Sequence, residues 1–197
     1  MRRAAAFILV LLLAGCATVP PVVPNNIPLS ADQIPAWTAS GRLALFASGT
    51  GGAGNFIWNQ AGDDLQLGIR GPLGVGALEI QSSGQDLSLR DGTGQALDAE
   101  DARARMEERL GTDLPLASLR YWMLGIPAPG DEALVTDNGG SASRVIEQSG
   151  WRVVYQGFKE LAGFSLPARI SVDRPGVRLK LIIDTWQLAA AGLAPGG

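Results

Sequence analysis

The sequence predicts a mainly β domain of the α+β class, in which ten or eleven antiparallel strands form a curved sheet and two helices lie on it. Three observations carry this prediction. Apolar and polar residues alternate with period two in one segment after another, a pattern typical of half-buried strands. Short turns containing Gly, Pro and Asp join these segments, and such turns connect antiparallel neighbours. Between residues 98 and 124 the spacing becomes helical, and amphipathic helices that follow strands bury their apolar stripe on the sheet.

The first fifteen residues have the form of a secretory signal peptide. The basic start Met1-Arg2-Arg3 is followed by the apolar residues 4–14, a run that is too short to span a bilayer. Small residues directly before Cys16 supply a cleavage site. We therefore expect the mature chain to begin at Cys16.

The mature chain is predicted to consist of a tether, one folded domain and a tail. Residues 16–36 are rich in Pro, Asn and Val and lack periodicity, so they are predicted to form an extended tether. Within it, residues 30–34 can form one short helical turn that Pro35 ends. The folded domain is predicted over residues 37–188, and the Ala-, Gly- and Pro-rich residues 189–197 are predicted to be a disordered tail.

Eight segments of the domain have the strand pattern. Leu43 and Leu45 share one face of the first segment, and Phe56 and Trp58 share one face of the second. The glycine-rich residues 49–54 between these two segments are interpreted as a flexible hairpin loop. The segments are residues 40–47, 55–60, 65–70, 75–80, 87–90, 151–156, 168–172 and 177–184.

Two helices are predicted between the fifth and sixth strand segments. Residues 98–110 have apolar side chains at helical spacing, with Asp98 as the N-cap and Gly111 after the end. Residues 115–124 form a second amphipathic segment that ends at Gly125. Neither helix can bury its apolar side alone, so both are expected to pack on the sheet.

The turn between the third and fourth strand segments has an unusual tip. Pro72 fixes its own φ, and Gly71 and Gly74 tolerate whatever backbone angles the turn requires. Leu73 stands where Asn, Asp or Ser is usual. The residues alone leave two interpretations open: Leu73 folds back and caps the sheet edge, or it contacts an apolar partner outside the protein.

The composition argues against several kinds of chemistry. The chain has 16 basic and 19 acidic residues, so nothing indicates the strongly basic surface that binds nucleic acid. It has no histidine, and Cys16 is its only cysteine, which excludes disulfides, Ser-His triads and most zinc sites. The sequence also lacks the Gly-x-Ser-x-Gly motif of lipid hydrolases. We therefore predict a protein that is not an enzyme and uses no cofactor.

The residues Leu13-Ala14-Gly15-Cys16 resemble the lipobox of bacterial lipoproteins. The resemblance implies that Cys16 carries a covalent diacylglyceryl thioether and, after cleavage, an acylated amine. Ala17 follows it, whereas an Asp there commonly retains lipoproteins in the inner membrane, so the implied location is the periplasmic face of a Gram-negative outer membrane. Such an anchor is firm because each buried methylene contributes ~0.8 kcal/mol.

Three further segments resemble the LolB family of outer membrane lipoprotein receptors. They are residues 71–74 (GPLG), residues 114–127 (LPLASLRYWMLGIP) and residues 178–186 (RLKLIIDTW). The resemblance implies a LolA/LolB-like fold: an incompletely closed antiparallel barrel of about eleven strands with a small helical lid and an apolar cavity. The implied function is to receive lipoproteins from the soluble periplasmic carrier LolA, hold their acyl chains and insert them into the inner leaflet of the outer membrane, as a monomer. The segment before Trp37 is short for the family's first lid helix.

The resemblance also implies two sites besides the lipidated Cys16. Gly71, Pro72, Leu73 and Gly74 form the expected membrane-insertion loop. The expected lining of the acyl-chain cavity consists of large apolar side chains: Phe56, Trp58, Leu67, Leu78, Trp122 and Met123. The alternative is a structural lipoprotein of an envelope assembly, whose interior is solid and binds no lipid.

Overall fold

The structure is a computed structural model, and it describes most of the chain between Asn26 and Ala189. The described residues are 26–47, 49–71, 77–83, 86–91, 94, 96–97, 100–101, 104, 115–137 and 144–189. They form thirteen strands: β1 (Ala36–Ala47), β2 (Thr50–Ala61), β3 (Asp64–Arg70), β4 (Leu78–Ser83), β5 (Asp86–Asp91), β6 (Ala96–Leu97), β7 (Ala133–Asp137), β8 (Arg144–Gln148), β9 (Trp151–Tyr155), β10 (Phe158–Leu161), β11 (Phe164–Pro167), β12 (Arg169–Arg174) and β13 (Val177–Leu188). A helix, α1, extends over Leu116–Met123, and a 3-10 turn over Ala31–Gln33. No helix among the described residues has the length and apolar character needed to cross a membrane.

Eleven of the strands pair in one sheet, in the order β6-β5-β4-β3-β2-β1-β13-β12-β9-β8-β7. Every pairing is antiparallel. β10 and β11 form a separate hairpin between β9 and β12. In the described part of the chain β6 and β7 are the two ends of the sheet, so the barrel is incompletely closed there. The predicted mainly β, antiparallel fold is confirmed.

The alternation of apolar residues divides the sheet into an inner and an outer face. In β13, Val177, Leu179, Leu181 and Ile183 are buried, and the residues between them are exposed. β1 begins with the same alternation, and its half-buried inner residues at the far end pack against the same core. On the outer face Phe46 is 52% exposed. The inner faces of the strands thus form one continuous core.

The long β1–β13 ladder changes register once, between Ser40 and Gly41. A Cβ atom on Gly41 would lie 2.0 Å from the carbonyl oxygen of Ile182 and 3.0 Å from the backbone nitrogen of Asp184. Glycine therefore allows the two strands to approach at this irregularity, which increases the local twist of the sheet.

The interpretation of residues 49–54 as a flexible loop is wrong, because β2 already begins at residue 50. A Cβ atom on Gly51 would lie 2.7 Å from the ring of Phe46. A Cβ atom on Gly54 would lie 2.5 Å from the carbonyl oxygen of Arg70 on the neighbouring strand. These glycines make room for close neighbours within the sheet, which is a second common role of glycine in strands.

The second predicted helix is confirmed as α1, and it packs on the inner face of the sheet. Its buried residues are Leu119, Trp122 and Met123, and Gly125, with a φ of 82°, follows its end. Trp122 contacts β9, and Arg120 contacts the β2–β3 turn. In the sheet β2 and β9 are four strand spacings apart, about 19 Å. With its side chains, α1 therefore bridges the strands that lie between β2 and β9. Of the first predicted helix, residues 100, 101 and 104 are described and helical.

The chain before β1 also contacts the domain. Ile34 is buried, and Ile27 packs against the core. The carbonyl oxygen of Asn26 accepts a hydrogen bond from Ser165 N at 2.8 Å. Residues 26–35, within the segment predicted to be a tether, thus lie against the domain, and the limits of tether and domain stay a prediction.

Candidate functional site

The predicted membrane-insertion loop connects β3 to β4. Ile69 pairs with Leu78, which confirms that the two flanking segments form a hairpin. Gly71 is half-buried and follows β3 directly. Pro72, Leu73 and Gly74 lie outside the described residues, as does Cys16, so their roles stay predictions.

Four of the predicted cavity residues lie on neighbouring strands of the inner face. Trp58 on β2 pairs with Leu67 on β3, and one step along the same face Phe56 pairs with Ile69, the partner of Leu78. Phe56 and Trp58 are each 2% exposed and Leu67 is 6% exposed. Leu78 is half-buried and packs against the same core.

The other two predicted cavity residues lie on α1. Trp122 and Met123 are both 0% exposed and belong to the same core cluster as Phe56 and Trp58. The ring of Trp122 lies 6.3 Å from that of Trp151 on β9. The structure therefore brings all six predicted residues to one apolar interior between the sheet and α1.

Gln148 attaches the C-terminal end of α1 to the sheet, and the sequence analysis missed it. This residue ends β8 and is only 3% exposed. Its Oε1 accepts hydrogen bonds from Trp122 Nε1 at 3.0 Å and from Ala128 N at 2.9 Å. Its Nε2 donates to the carbonyl oxygens of Ala128 at 2.7 Å and Asp131 at 2.9 Å. All four bonds of one buried amide thus hold the helix and the segment after it.

Tyr155 on β9 makes a second buried attachment. Its hydroxyl donates a hydrogen bond to the carbonyl oxygen of Trp122 at 2.9 Å. Burial raises the pKa of the Tyr155 phenol well above its ordinary value, although the positive charge of Arg144 opposes this shift. The phenol therefore stays neutral and remains a donor to α1 at any physiological pH.

Arg120 attaches the other side of α1 to the β2–β3 turn. Its guanidinium donates to the carboxylate of Asp63, to the carbonyl oxygen of Gly62 at 3.2 Å and to Tyr121 Oη at 2.7 Å. Burial alone would lower the pKa of this guanidinium, but the hydrogen bonds to Asp63 and Tyr121 outweigh it and raise the pKa. Asp63 is far more exposed than Arg120, at 73% against 24% of the side chain.

A buried glutamine connects this attachment to the predicted cavity. Gln60, which is 6% exposed, accepts a hydrogen bond from Trp58 Nε1 at 2.9 Å. Its Nε2 donates to the carbonyl oxygen of Gly62 at 2.9 Å, the same oxygen that accepts from Arg120. A continuous chain of hydrogen bonds therefore runs from Trp58 to α1.

Three clefts among the described residues are lined by residues other than the six predicted ones. One of about 700 Å³ lies at the tips of the β1–β2 and β12–β13 hairpins, beside Phe46, Arg174 and Arg178. Two smaller clefts, of about 330 Å³ and about 110 Å³, flank Arg120. Within the described residues, no group of three or more Cys, Asp or Glu side chains is placed to hold a metal ion. In this structure five of the six predicted cavity residues belong to one core cluster, and Leu78 packs against it.

The chain is similar to known proteins of one family over most of its length. The family model described as outer membrane lipoprotein LolB matches residues 35–186. The outer-membrane lipoprotein LolB of Nitrosococcus oceani is 35% identical over 188 residues, 90% of this chain and 93% of that protein. The protein of the same description from Halorhodospira halophila is 32% identical over 192 residues, 94% of each chain. The crystal structure of a LolA superfamily protein from Nitrosomonas europaea covers 81% of this chain and 90% of its own, with 14% identity and a TM-score of 0.48.

Proposed function

The chain belongs to the LolB family of outer membrane lipoproteins, and from this membership we propose that it receives lipoproteins from a LolA-type periplasmic carrier and inserts them into the outer membrane. The family is not one of enzymes, and the proposed process needs no reaction. The process needs an apolar binding site that shields the acyl chains from water between the carrier and the bilayer. Exposure of one long chain to water costs on the order of 10 kcal/mol, at ~0.8 kcal/mol per methylene.

The single observation that carries the proposal is the apolar interior between the inner face of the sheet and α1. Phe56, Trp58 and Leu67 lie on adjacent strands there and belong to the same core cluster as Trp122 and Met123 of the helix. Among the described residues α1 covers part of this face, and much of its attachment depends on a few side chains. A displaced α1 would uncover a continuous apolar surface to which an acyl chain can bind.

In this proposal the other two predicted sites, Cys16 and the β3–β4 loop, contact the membrane. The lipid on Cys16 keeps the protein at the outer membrane, and Leu73 at the tip of the β3–β4 loop touches the bilayer. One inserted leucine contributes only ~1.5–3 kcal/mol, which suits repeated and reversible contact better than permanent docking. Transfer then proceeds downhill through successive apolar sites, without a nucleotide.

The experiment is transfer of a lipoprotein from its soluble carrier to the purified protein, followed by displacement of a fluorescent acyl probe. Leu67→Gln on the inner face is the test variant, because an unpaired polar group there opposes acyl binding. Ile57→Gln is the matched control, since Ile57 lies on the neighbouring strand but is 56% exposed on the outer face. We expect the Leu67 variant to lose probe binding while it remains folded by circular dichroism, and the control to bind normally.

The packing of the six predicted residues also favours a second candidate, a structural lipoprotein with a solid core. That candidate predicts no displaceable probe in the unmodified protein. It also predicts that Leu67→Gln lowers the melting temperature without any separate effect on lipid. Loss of folding in every inner-face variant, together with no probe binding, would favour the solid core.

A further inference from the structure

Arg120 stands at the junction of α1 with the β2–β3 turn, between two clefts. The cleft of about 330 Å³ is lined by side chains of β2, β3, β4 and α1, and the cleft of about 110 Å³ by the segment before β1, the start of β1 and α1. Gln60, Asp63 and Arg120 line both of them. The larger one is at the lower limit of ligand pockets, which measure about 300–1,000 Å³. Neither holds a whole acyl chain while Arg120 separates them.

Building on the proposed function, we infer that the contact between Arg120 and Asp63 is a latch across the mouth through which an acyl chain reaches the inner face. With the latch open, the two clefts join under α1. The linings of the two clefts combine apolar side chains, among them Leu65, Leu116 and Leu124, with the polar groups of Gln60, Asp63 and Arg120. We take the occupant to be an acyl chain from the proposed function: its methylenes would lie against the leucines, and the charged pair at the rim would be its gate.

The latch is built to open at low cost. Asp63 is 73% exposed on its side of the pair, and ion pairs with such exposure contribute little net stability. Arg120 Nε is buried and has no hydrogen-bond partner among the described residues, and the desolvation of an unpaired donor offsets part of what the other bonds contribute. Water can satisfy all of these groups once α1 lifts. The contact between Arg120 and Asp63 thus adds little to the stability of the closed position, in which α1 is also held by its buried residues, by Gln148 and by Tyr155.

The latch is connected to the interior by the hydrogen bonds through Gln60. Trp58 donates to Gln60, and Gln60 and Arg120 donate to the same carbonyl oxygen, that of Gly62. An acyl chain that pushes against the Trp58 indole therefore disturbs the acceptor that Arg120 shares. Occupancy of the inner face and release of the latch are coupled through this shared oxygen.

The test measures how fast the full lipidated chain, held in nanodiscs, takes up and releases a pyrene-labelled long-chain fatty acid. Stopped-flow fluorescence gives both rates after subtraction of empty nanodiscs. The variant is Asp63→Asn, which removes the charge at an exposed position and leaves the fold intact. The matched control is Asp64→Asn, because Asp64 is the next residue and accepts a hydrogen bond from Ser83 at 2.6 Å, not from α1.

We expect Asp63→Asn to raise the rate of uptake by about threefold, which corresponds to the small contribution of a partly exposed ion pair, and to leave the rate of release unchanged. The control should keep the rates of the unmodified protein. A rise in salt from about 0.05 M to about 0.5 M should speed uptake by the unmodified protein and leave the Asp63 variant unchanged, because salt screens the pair. Arg120→Gln combined with Asp63→Asn should be no faster than Arg120→Gln alone.

The outcomes separate the latch from the proposed function. In one outcome the unmodified protein takes up the probe, and the Asp63 and Asp64 variants have equal rates at both salt concentrations. This result would overturn the latch and leave the lipid-binding function standing. No uptake above empty nanodiscs by any protein would overturn both. Melting curves of the Arg120 variant show whether its rates belong to a folded protein.

Discussion

Replacement of Gln148 by leucine is expected to lower the free energy of unfolding by about 2–4 kcal/mol. Leucine has a similar size but leaves two donors without an acceptor, Trp122 Nε1 and Ala128 N. Trp122 is fully buried and Ala128 is half-buried, so water does not readily replace the lost bonds, and each orphaned group costs about 1–3 kcal/mol. The carbonyl oxygen of the exposed Asp131 can bind water instead. The greater apolar burial of leucine offsets a small part of this loss.

The assay is thermal and urea unfolding of the variant, followed by circular dichroism and by tryptophan fluorescence. For a domain of this size 1 kcal/mol shifts the melting temperature by about 2–4 °C, so a decrease of roughly 10 °C is expected. The matched control is Gln187→Leu, the same substitution at an exposed position of β13. Its melting temperature should change little, because exposed substitutions usually stay within ~0.5 kcal/mol.

A double-mutant cycle isolates the hydrogen bond between Gln148 and Trp122 of α1. Trp122→Phe removes the indole donor and keeps an aromatic ring opposite Trp151. If the bond acts as described, the two substitutions together cost less than the sum of their separate effects, by about 0.5–3 kcal/mol. Equal melting of the Gln148 and Gln187 variants, or strict additivity in the cycle, would refute the role given to this amide.

Three other predictions concern the loop, the anchor and the buried phenol. Leu73→Glu should leave the melting temperature and cargo acceptance unchanged but stop delivery to the membrane, because a carboxylate resists insertion. Normal delivery by the folded variant would contradict the loop's role. A lowered melting temperature with every activity reduced would favour the edge-capping alternative. An exported Cys16→Ala protein should remain folded and accept cargo in solution, as a carrier-transfer assay would show, and loss of cargo binding would contradict the separation of anchor and domain. Because burial raises the pKa of Tyr155, the folded state keeps a proton that the unfolded chain loses above about pH 10, so stability is intact below that pH and falls above it by up to about 1.4 kcal/mol per pH unit. Urea unfolding between about pH 9 and pH 11 should show a shallower fall in Tyr155→Phe than in the unmodified protein, and parallel curves would contradict this.

The strands were predictable where one face of the strand is buried and the other is exposed to solvent. β13 is the clearest case, because its inner residues from Val177 to Ile183 are each separated by an exposed one. β7 lacks that signal: it is an edge strand whose Leu134 and Val135 point in opposite directions and are both exposed. No alternation marks such a strand, and the sequence analysis assigned neither β7 nor its partner β8.

The attachments of α1 were not predictable, because they depend on pairs far apart in the chain. Gln148 and Gln60 look like ordinary polar strand residues in the sequence, and only the fold places their amides opposite Trp122 and Trp58. The glycines of β2 were misread for a similar reason. Gly51 is required because the ring of Phe46 on the neighbouring strand leaves no room for a side chain. In the sequence, a glycine required for close packing looks the same as a glycine in a flexible loop.

The positions of the latch and the loop give the proposed transfer a direction. The β2–β3 turn and the β3–β4 loop lie at opposite ends of β3. The inner residues between them, Leu65, Leu67 and Ile69, span about 13 Å at ~3.3 Å per residue, close to the ~15 Å of one leaflet of a 30 Å hydrocarbon core. An acyl chain admitted beside Asp63 and extended along β3 would therefore reach the base of the loop that carries Leu73. Uptake and release would then occur at different ends of one strand, so Asp63→Asn should change the first rate in a protein where Leu73→Glu has blocked the second step.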